Sequence, residues 1–385
     1  MIDKKLSVAI VGAGMGGMAA AATLRQAGVD VTVYEQAGRF ERIGAGIQML
    51  PNSMKVLRRI GIEERLRATS FAPKSHLNRV WDTGEVLIEL PMPEDRYGAP
   101  YLCMHRGDLH SALASVVPAE SVQLNKKLVG LDQDGSGVTL SFADGSTARA
   151  DAVIGADGLH SLVRSILLGP ESPRFSGRVA YRAVFPAALM RGKDIGLSRT
   201  KWWGIDRHIV IYYTTANRSE VYFVTSVPEP VEWMTAESWS AKGDVRELRA
   251  EFQGFHADVR AVLEACPDCH KWAILDRDPL PRWSDGRIAL LGDACHPMTP
   301  YMAQGAATSI EDAAVLARCI DETGGGDIER AFQLYEANRK PRTSRIQAIS
   351  SANTWMHQSG GDNDPDWLYG YDAWNVPLTE PVGQA

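Results

Sequence analysis

Apolar residues recur along this chain with two different periods, and the places where the period changes mark its elements. Ser7 to Val11 (SVAIV) is a short, continuous, β-branched run of the kind that fills a central parallel strand. The small-residue stretch MAAAATLRQAG follows as a helix, and VDVTVYE then reads as a second strand ending at Glu35. The same order returns twice. DAVIG runs into ADGLHSLVR over residues 151–164, and IALLG leads through a proline-bounded loop to a helix beginning near Gln304, Gly305 and Ala306. Between these segments, from about 176 to 275, lie the aromatic runs VAYRAVF, RTKWWGI, DRHIVIYYTT and EVYFVTSV, separated by the turn-like IDR and ANRSE. They predict an antiparallel sheet. Alternation places His208, Val210 and Tyr212 on one face and Ile209, Ile211 and Tyr213 on the other. At ~3.3 Å per residue His208 and Tyr212 lie roughly 13 Å apart, so both line one aromatic-sized pocket only if its long axis follows the strand.

Two charge runs, Glu311-Asp312 and Arg339-Lys340, read as solvated helix faces. The tail from Trp355 to Trp374 is rich in aromatics and Asp/Gly turns, which predicts that it packs against the body or covers the neighbouring subunit of a homodimer.

Composition narrows the function. With 385 residues, 45% hydrophobic and 23% charged, the chain can bury a large core. A net charge of -6 leaves no basic face for a phosphate backbone, so nucleic acid is not an expected partner. The first residues, MIDKKLSVAIVGAGMGGMAAAATL, read as strand and helix rather than as a leader, and no other apolar run approaches the ~20 residues of a membrane span. A cytoplasmic location follows as an expectation. Five scattered cysteines, an odd number, argue against a disulfide framework. Cys266-Pro-Asp-Cys269-His270 has the spacing of a haem attachment site or half a zinc site, but without a second ligand pair it reads as a helix end turning at Pro267 into a strand, and no metal is expected.

The candidate chemistry begins at Gly12-x-Gly14-x-x-Gly17, which sits between strand and helix as a dinucleotide-binding turn requires. Glycines there let backbone amides approach a pyrophosphate at the helix N-terminus. Glu35, about 20 residues on, is placed to accept both hydroxyls of an adenosine ribose, and its charge disfavours a 2′-phosphate. NAD and FAD remain open at this point.

Two further segments make the pattern specific. In order, GxGxxG, GADGLHSLVR and GDACHPMTPYMAQGA resemble the single-component FAD-dependent aromatic hydroxylases related to 4-hydroxybenzoate and salicylate hydroxylases, over nearly the whole chain. Within that family KWWGIDRHIVIYYTT, LYEANRKPR, SANTW and WLYGYD resemble the branch acting on hydroxypyridine carboxylates. The resemblance implies an α/β fold: a Rossmann-like FAD-binding domain from residues 1–75, 100–175 and 276–327, an inserted antiparallel substrate sheet from 76–99 and 176–275, and a helical C-terminus over 328–385. It implies non-covalent FAD, with Gly12, Gly14, Gly16 and Gly17 facing the pyrophosphate and Glu35 with its neighbour Gln36 at the adenosine ribose. Arg106 would reach the cofactor, the strand at Leu128 would pass the adenine, and Asp157-Gly158 would lie behind the pyrophosphate. Asp293 would bind the ribityl chain, and Gly305-Ala306 would offer amides to the flavin's pyrimidine edge. No second strand-borne GxGxxG exists for NAD(P)H, as expected where the nicotinamide visits briefly; NADH is the expected co-substrate beside dioxygen.

The implied reaction is decarboxylative hydroxylation of a small aromatic carboxylate, with 6-hydroxynicotinate giving 2,5-dihydroxypyridine and carbon dioxide. A hydroxypicolinate, a hydroxybenzoate or salicylate are the alternative substrates, and a flavin dehydrogenase or reductase is the alternative class. His208 would be base or relay for the ring hydroxyl, and Tyr212 its hydrogen-bond partner. Gln48 and Tyr301 stand where the hydroxypyridine branch has histidines, and Arg199 where it has a cysteine. These departures fall near the ring and so concern the substrate. Gln48 donates and accepts but does not titrate, and Tyr301 offers one hydroxyl. A buried Arg199 could clamp a carboxylate; on a surface strand it would be solvated, which is the reading preferred from sequence.

Overall fold

The computed structural model describes residues 5–42, 45–230, 242–353 and 364–381. The apolar runs assemble a six-stranded sheet in the order 284–285, 288–290, 152–155, 7–11, 30–34 and 122–123. It is parallel except for the hairpin at 284–290, with Val8 beside Ala152 and Ser7 beside Asp30. The helix Met15–Gln26 covers it through Ala19, Ala20, Ala21 and Ala22, all buried. Such small side chains allow the long helix Gly305–Glu322 to lie close, and Thr23 Oγ1 donates to the Ala313 carbonyl across that contact at 2.9 Å. A three-stranded meander over 128–150 flanks this unit.

The period-2 segments form an eight-stranded sheet in the order 242–243, 269–276, 174–186, 220–228, 208–213, 199–203, 75–80 and 86–91. Neighbours are antiparallel except for 199–203 against 75–80, which run parallel, so the sheet is mixed rather than wholly antiparallel. A two-stranded ribbon, 46–49 with 102–105, brings Gln48 opposite Cys103. The CPDCH stretch is the end of the helix Ala257–Ala265 passing into the strand Cys269–Asp276. Among the described residues no helix is long and apolar enough to cross a membrane.

One sequence expectation is overturned here. Glu311, Asp312 and Arg339 are not on a solvated face; all three are fully buried. The helix Ile328–Ala352 packs along Gly305–Glu322, and Arg339 and Arg342, one turn apart, both face it. Arg339 donates to Glu311 Oε2 and to Asp312 Oδ1, each at 2.7 Å, Arg342 donates to both Glu311 oxygens at 2.9 Å, and Asn52 adds a bond of 2.6 Å. Lys340 is half-buried and pairs with Glu336 at 3.2 Å. Of the tail, Trp355 lies outside the described residues, whereas Leu368 and Tyr369 are buried against the body.

Candidate active site

The glycines of the first turn divide into two kinds. Gly12 has φ +100° and a Cβ there would stand 2.5 Å from the Ala156 carbonyl oxygen; one on Gly17 would stand 2.0 Å from that of Gly12, and one on Gly16 would stand 2.6 Å from Leu291 Cδ2. These positions exist for close packing. A Cβ on Gly14 would meet nothing within 4 Å, because Gly14 faces an open trough at the N-terminus of Met15–Gln26. Gly12, Gly14 and Gly16 line the trough and Gly17 does not.

The trough has two adjoining lobes. The first, about 490 Å³, is lined by Gly12, Glu35, Gln36, Leu128, Asp157 and Gly158 among others. Glu35 accepts from the Ala13 and Ala37 amides, each at 2.8 Å, which fixes the carboxylate while leaving it further acceptor capacity. Asp157 accepts from Ser161 Oγ at 2.5 Å and from the Val163 amide at 3.1 Å, so it organises the turn before the helix Leu162–Leu168. The second lobe, about 320 Å³, shares Gly14 and Gly158 with the first and continues past Arg106, Asp293, Gly305 and Ala306. Asp293 opens onto it, yet dense surroundings push its carboxyl above the ordinary range, while His296 and Arg106 pull it back. Neither Met15–Gln26 nor Gly305–Glu322 has a side-chain cap, and both N-termini point into this trough. Two uncapped helix N-termini, a glycine with open space before it and a ribose-height carboxylate fit a flavin dinucleotide.

The far wall of the second lobe is one face of the eight-stranded sheet. Tyr212 pairs with Tyr222, their rings 4.9 Å apart, and Val224, Arg182 and Trp272 continue the same face across three strands. Gly46 admits this wall, since a Cβ there would lie 2.5 Å from Tyr222 Cδ1 and 2.9 Å from the Tyr212 hydroxyl. Gln48 completes it, accepting from Tyr101 at 2.5 Å. Burial drives the Tyr212 phenol well above its ordinary value, with Tyr222 adding to the effect and Arg199 and Gln48 opposing it. Arg182 lies 3.5 Å above the Trp272 ring, and burial draws its guanidinium down to about 10, so it is still a cation at neutral pH.

Of the four residues expected at the chemistry, Gln48 and Tyr212 meet in this lobe. Tyr301 lines a small adjoining pocket and shares a hydrogen bond of 3.0 Å with Ser226 Oγ. His208 shares the sheet face but lines neither space; its ring stands edge-on to Tyr301 at 5.4 Å. Arg199 is buried, 7% exposed, which overturns the solvated reading; it lines the small pocket together with Tyr301 and Tyr369. Arg182, Tyr222, Val224 and Trp272 went unrecognised from sequence. Their signal was the alternation itself, which needs the strand registers before it becomes a surface.

The family model described as FAD binding domain matches residues 5–350. The chain is 48% identical to 6-hydroxynicotinate 3-monooxygenase of Bordetella bronchiseptica and 47% identical to that of Pseudomonas fluorescens, covering 98% of this chain and 98% of each relative. Among solved structures, HpxO of Klebsiella pneumoniae complexed with FAD and uric acid superposes with a TM-score of 0.81 at 27% identity, over 94% of this chain and 92% of that one. The chain belongs to the FAD-dependent aromatic monooxygenases. The enzymes it resembles at nearly half its positions are those named for 6-hydroxynicotinate.

Proposed function

We propose that this enzyme converts a hydroxypyridine carboxylate, 6-hydroxynicotinate in the first instance, to 2,5-dihydroxypyridine with loss of carbon dioxide. The observation that carries the reading is the likeness to enzymes named for that substrate, at 47–48% identity over 98% of both chains. The stoichiometry is one carboxylate, one NADH, one dioxygen and two protons, giving one dihydroxypyridine, one carbon dioxide, one NAD and one water. NADH is the proposed donor and the cytoplasm the proposed location.

Bound FAD supplies the electron relay from NADH and the activation of oxygen. In this proposal the Gly14 turn and the two helix N-termini hold its phosphates and pyrimidine edge, Glu35 and Gln36 its adenosine ribose, Leu128 its adenine, and Asp293 and Arg106 its flavin end. Tyr212 and Gln48 orient the substrate ring by hydrogen bonds, while Tyr222, Val224 and Trp272 exclude water around it. Tyr301 sets the inner limit of the ring's site, and His208 acts on the ring hydroxyl only through Tyr301. The division into a discontinuous cofactor unit and an inserted sheet unit is proposed at the boundaries given above.

The test is anaerobic mixing of the yellow protein with NADH, with and without 6-hydroxynicotinate. The ring should accelerate flavin reduction. Equal rates with and without it, together with acceleration by a hydroxybenzoate, would replace the substrate.

A further inference from the structure

Beside the cleft, the same sheet face carries a second feature. Arg199 and Lys201 stand two residues apart and so project from one face, and the parallel register sets His76 beside Arg199 and Asn78 beside Lys201. Together with Gln48 and Tyr301 they bound a pocket of about 10 Å³. It shares Gln48 and Ala303 with the cleft but none of the phosphate-side glycines, so it lies at the end away from the cofactor turn.

Arg199 is 7% and Lys201 3% exposed, deeper than charged side chains lie unless paired. Among the described residues neither forms an ion pair with a carboxylate. Among those residues Arg199 Nε has no hydrogen-bond partner; Lys201 Nζ reaches Asn353 Oδ1 at 3.5 Å and the face of Trp203 at 3.5 Å. A buried cation without an anion is strongly unfavourable, so its retention points to an anion that arrives with a ligand.

The groups facing Arg199 are all pushed towards neutrality. Burial, and then Arg199 itself, holds His76 well below its ordinary value and Lys201 well below that of an amine. Burial raises the phenols of Tyr101, Tyr212 and Tyr301 and drives the Cys103 thiol up to about 12. Arg199 brings to the pocket a guanidinium, whose fork of N–H donors suits an oxyanion.

We propose that Arg199, supported by Lys201, binds the ring oxygen of the aromatic substrate as its anion. This rests on the proposed decarboxylation: loss of carbon dioxide on hydroxylation requires attack at the ring carbon that bears the carboxylate, so that carbon must turn towards the flavin. The oxygen para to that carbon then points away from the flavin, towards this pocket. Held as an oxyanion, it donates electron density to the para carbon, the position that must attack an electrophilic oxygen. The pocket stabilises the ionised ring oxygen, and its proton leaves to solvent by way of Tyr301 and His208.

The test uses FAD-loaded enzyme with two probes, 6-hydroxynicotinate and 4-nitrophenol, whose anions absorb apart from their neutral forms. Difference spectra against pH give the ionisation of the bound ring oxygen. On the wild type it should ionise about one to three pH units below the free probe, as an opposite charge at contact distance dictates. Arg199→Met should abolish that shift and Lys201→Met should reduce it. The thermal midpoint of ligand-free Arg199→Met should not fall, because the charge it removes pairs with no carboxylate among the described residues. No shift on the wild type for either probe, or a full shift in Arg199→Met, overturns the proposal. So does equal weakening of nicotinate, which lacks the ring oxygen, since Arg199 would then hold the carboxylate. If 4-nitrophenol ionises as expected while 6-hydroxynicotinate is neither bound nor turned over, the substrate reading fails and the role of Arg199 stands.

Discussion

Replacing Gly14 and Gly17 separately by alanine should distinguish a glycine kept for the cofactor from one kept for the fold. Gly14 has φ -70° and ψ -171°, which alanine adopts freely, and its added Cβ would meet no protein atom within 4 Å. The apo protein gains about 0.4–1 kcal/mol from a less flexible unfolded chain and loses a similar amount because alanine is a poorer N-cap than glycine. Its thermal midpoint should therefore move by less than about 3 °C. The methyl instead enters the space a pyrophosphate would occupy, and overpacking of about 1–3 kcal/mol corresponds to roughly five- to 150-fold weaker FAD binding. In Gly17→Ala the new Cβ would lie 2.0 Å from a backbone oxygen, so helix and turn must part before any ligand is involved. That variant should lose apo stability first. Fluorescence titration of apo protein with FAD, beside calorimetry of both variants, makes the comparison. Wild-type FAD affinity in Gly14→Ala, or equal destabilisation of both apo variants, would refute this assignment.

Other predictions follow from the buried polar groups. Tyr212→Phe should retain flavin yet lower product formation by at least about tenfold, measured by product yield per NADH consumed, if its hydroxyl orients the ring. Glu311→Gln leaves Arg339 and Arg342 without their shared carboxylate and should cost about 3–5 kcal/mol in a urea titration. The Glu311 carboxyl is held below its ordinary value: burial opposes this, and Arg342 and Arg339 outweigh it. A depressed folded-state value means stability that is present above the unfolded value of ~4.3 and is lost as pH falls below it. Midpoints measured from pH 6 downward should therefore decline more steeply in the wild type than in Glu311→Gln. Glu35→Ala should weaken FAD binding by at least about tenfold and leave the Ala13 and Ala37 amides seeking water, which equilibrium dialysis against FAD would detect.

The elements with strict periodicity were readable from sequence because one residue pattern fixes one burial pattern. SVAIV, AVIG and the aromatic runs became strands, and the small-residue stretch after Gly14 became the helix that carries the turn. The errors share a cause: they depend on which surface meets which. Glu311 and Asp312 look like solvent-facing charges until a second helix brings Arg339 and Arg342 to them. Arg199 looks like an exposed strand residue until the fold buries it in a pocket it shares with Tyr301 and Tyr369, distant in the chain. His208 and Tyr212 share a face, as alternation requires, and only the folded chain shows the Tyr301 ring standing edge-on to His208. The wall residues Arg182, Tyr222 and Trp272 come from three separate strands, and only the register aligns them.

The measurement closest to the central claim is a single turnover of FAD-loaded enzyme with NADH, 6-hydroxynicotinate carrying labelled carbon in its carboxyl group, and ¹⁸O-labelled dioxygen. The account predicts one labelled carbon dioxide per NADH and a dihydroxypyridine bearing one ¹⁸O. Consumption of NADH and oxygen with the carboxyl carbon still on the ring, or product without ¹⁸O, would contradict it.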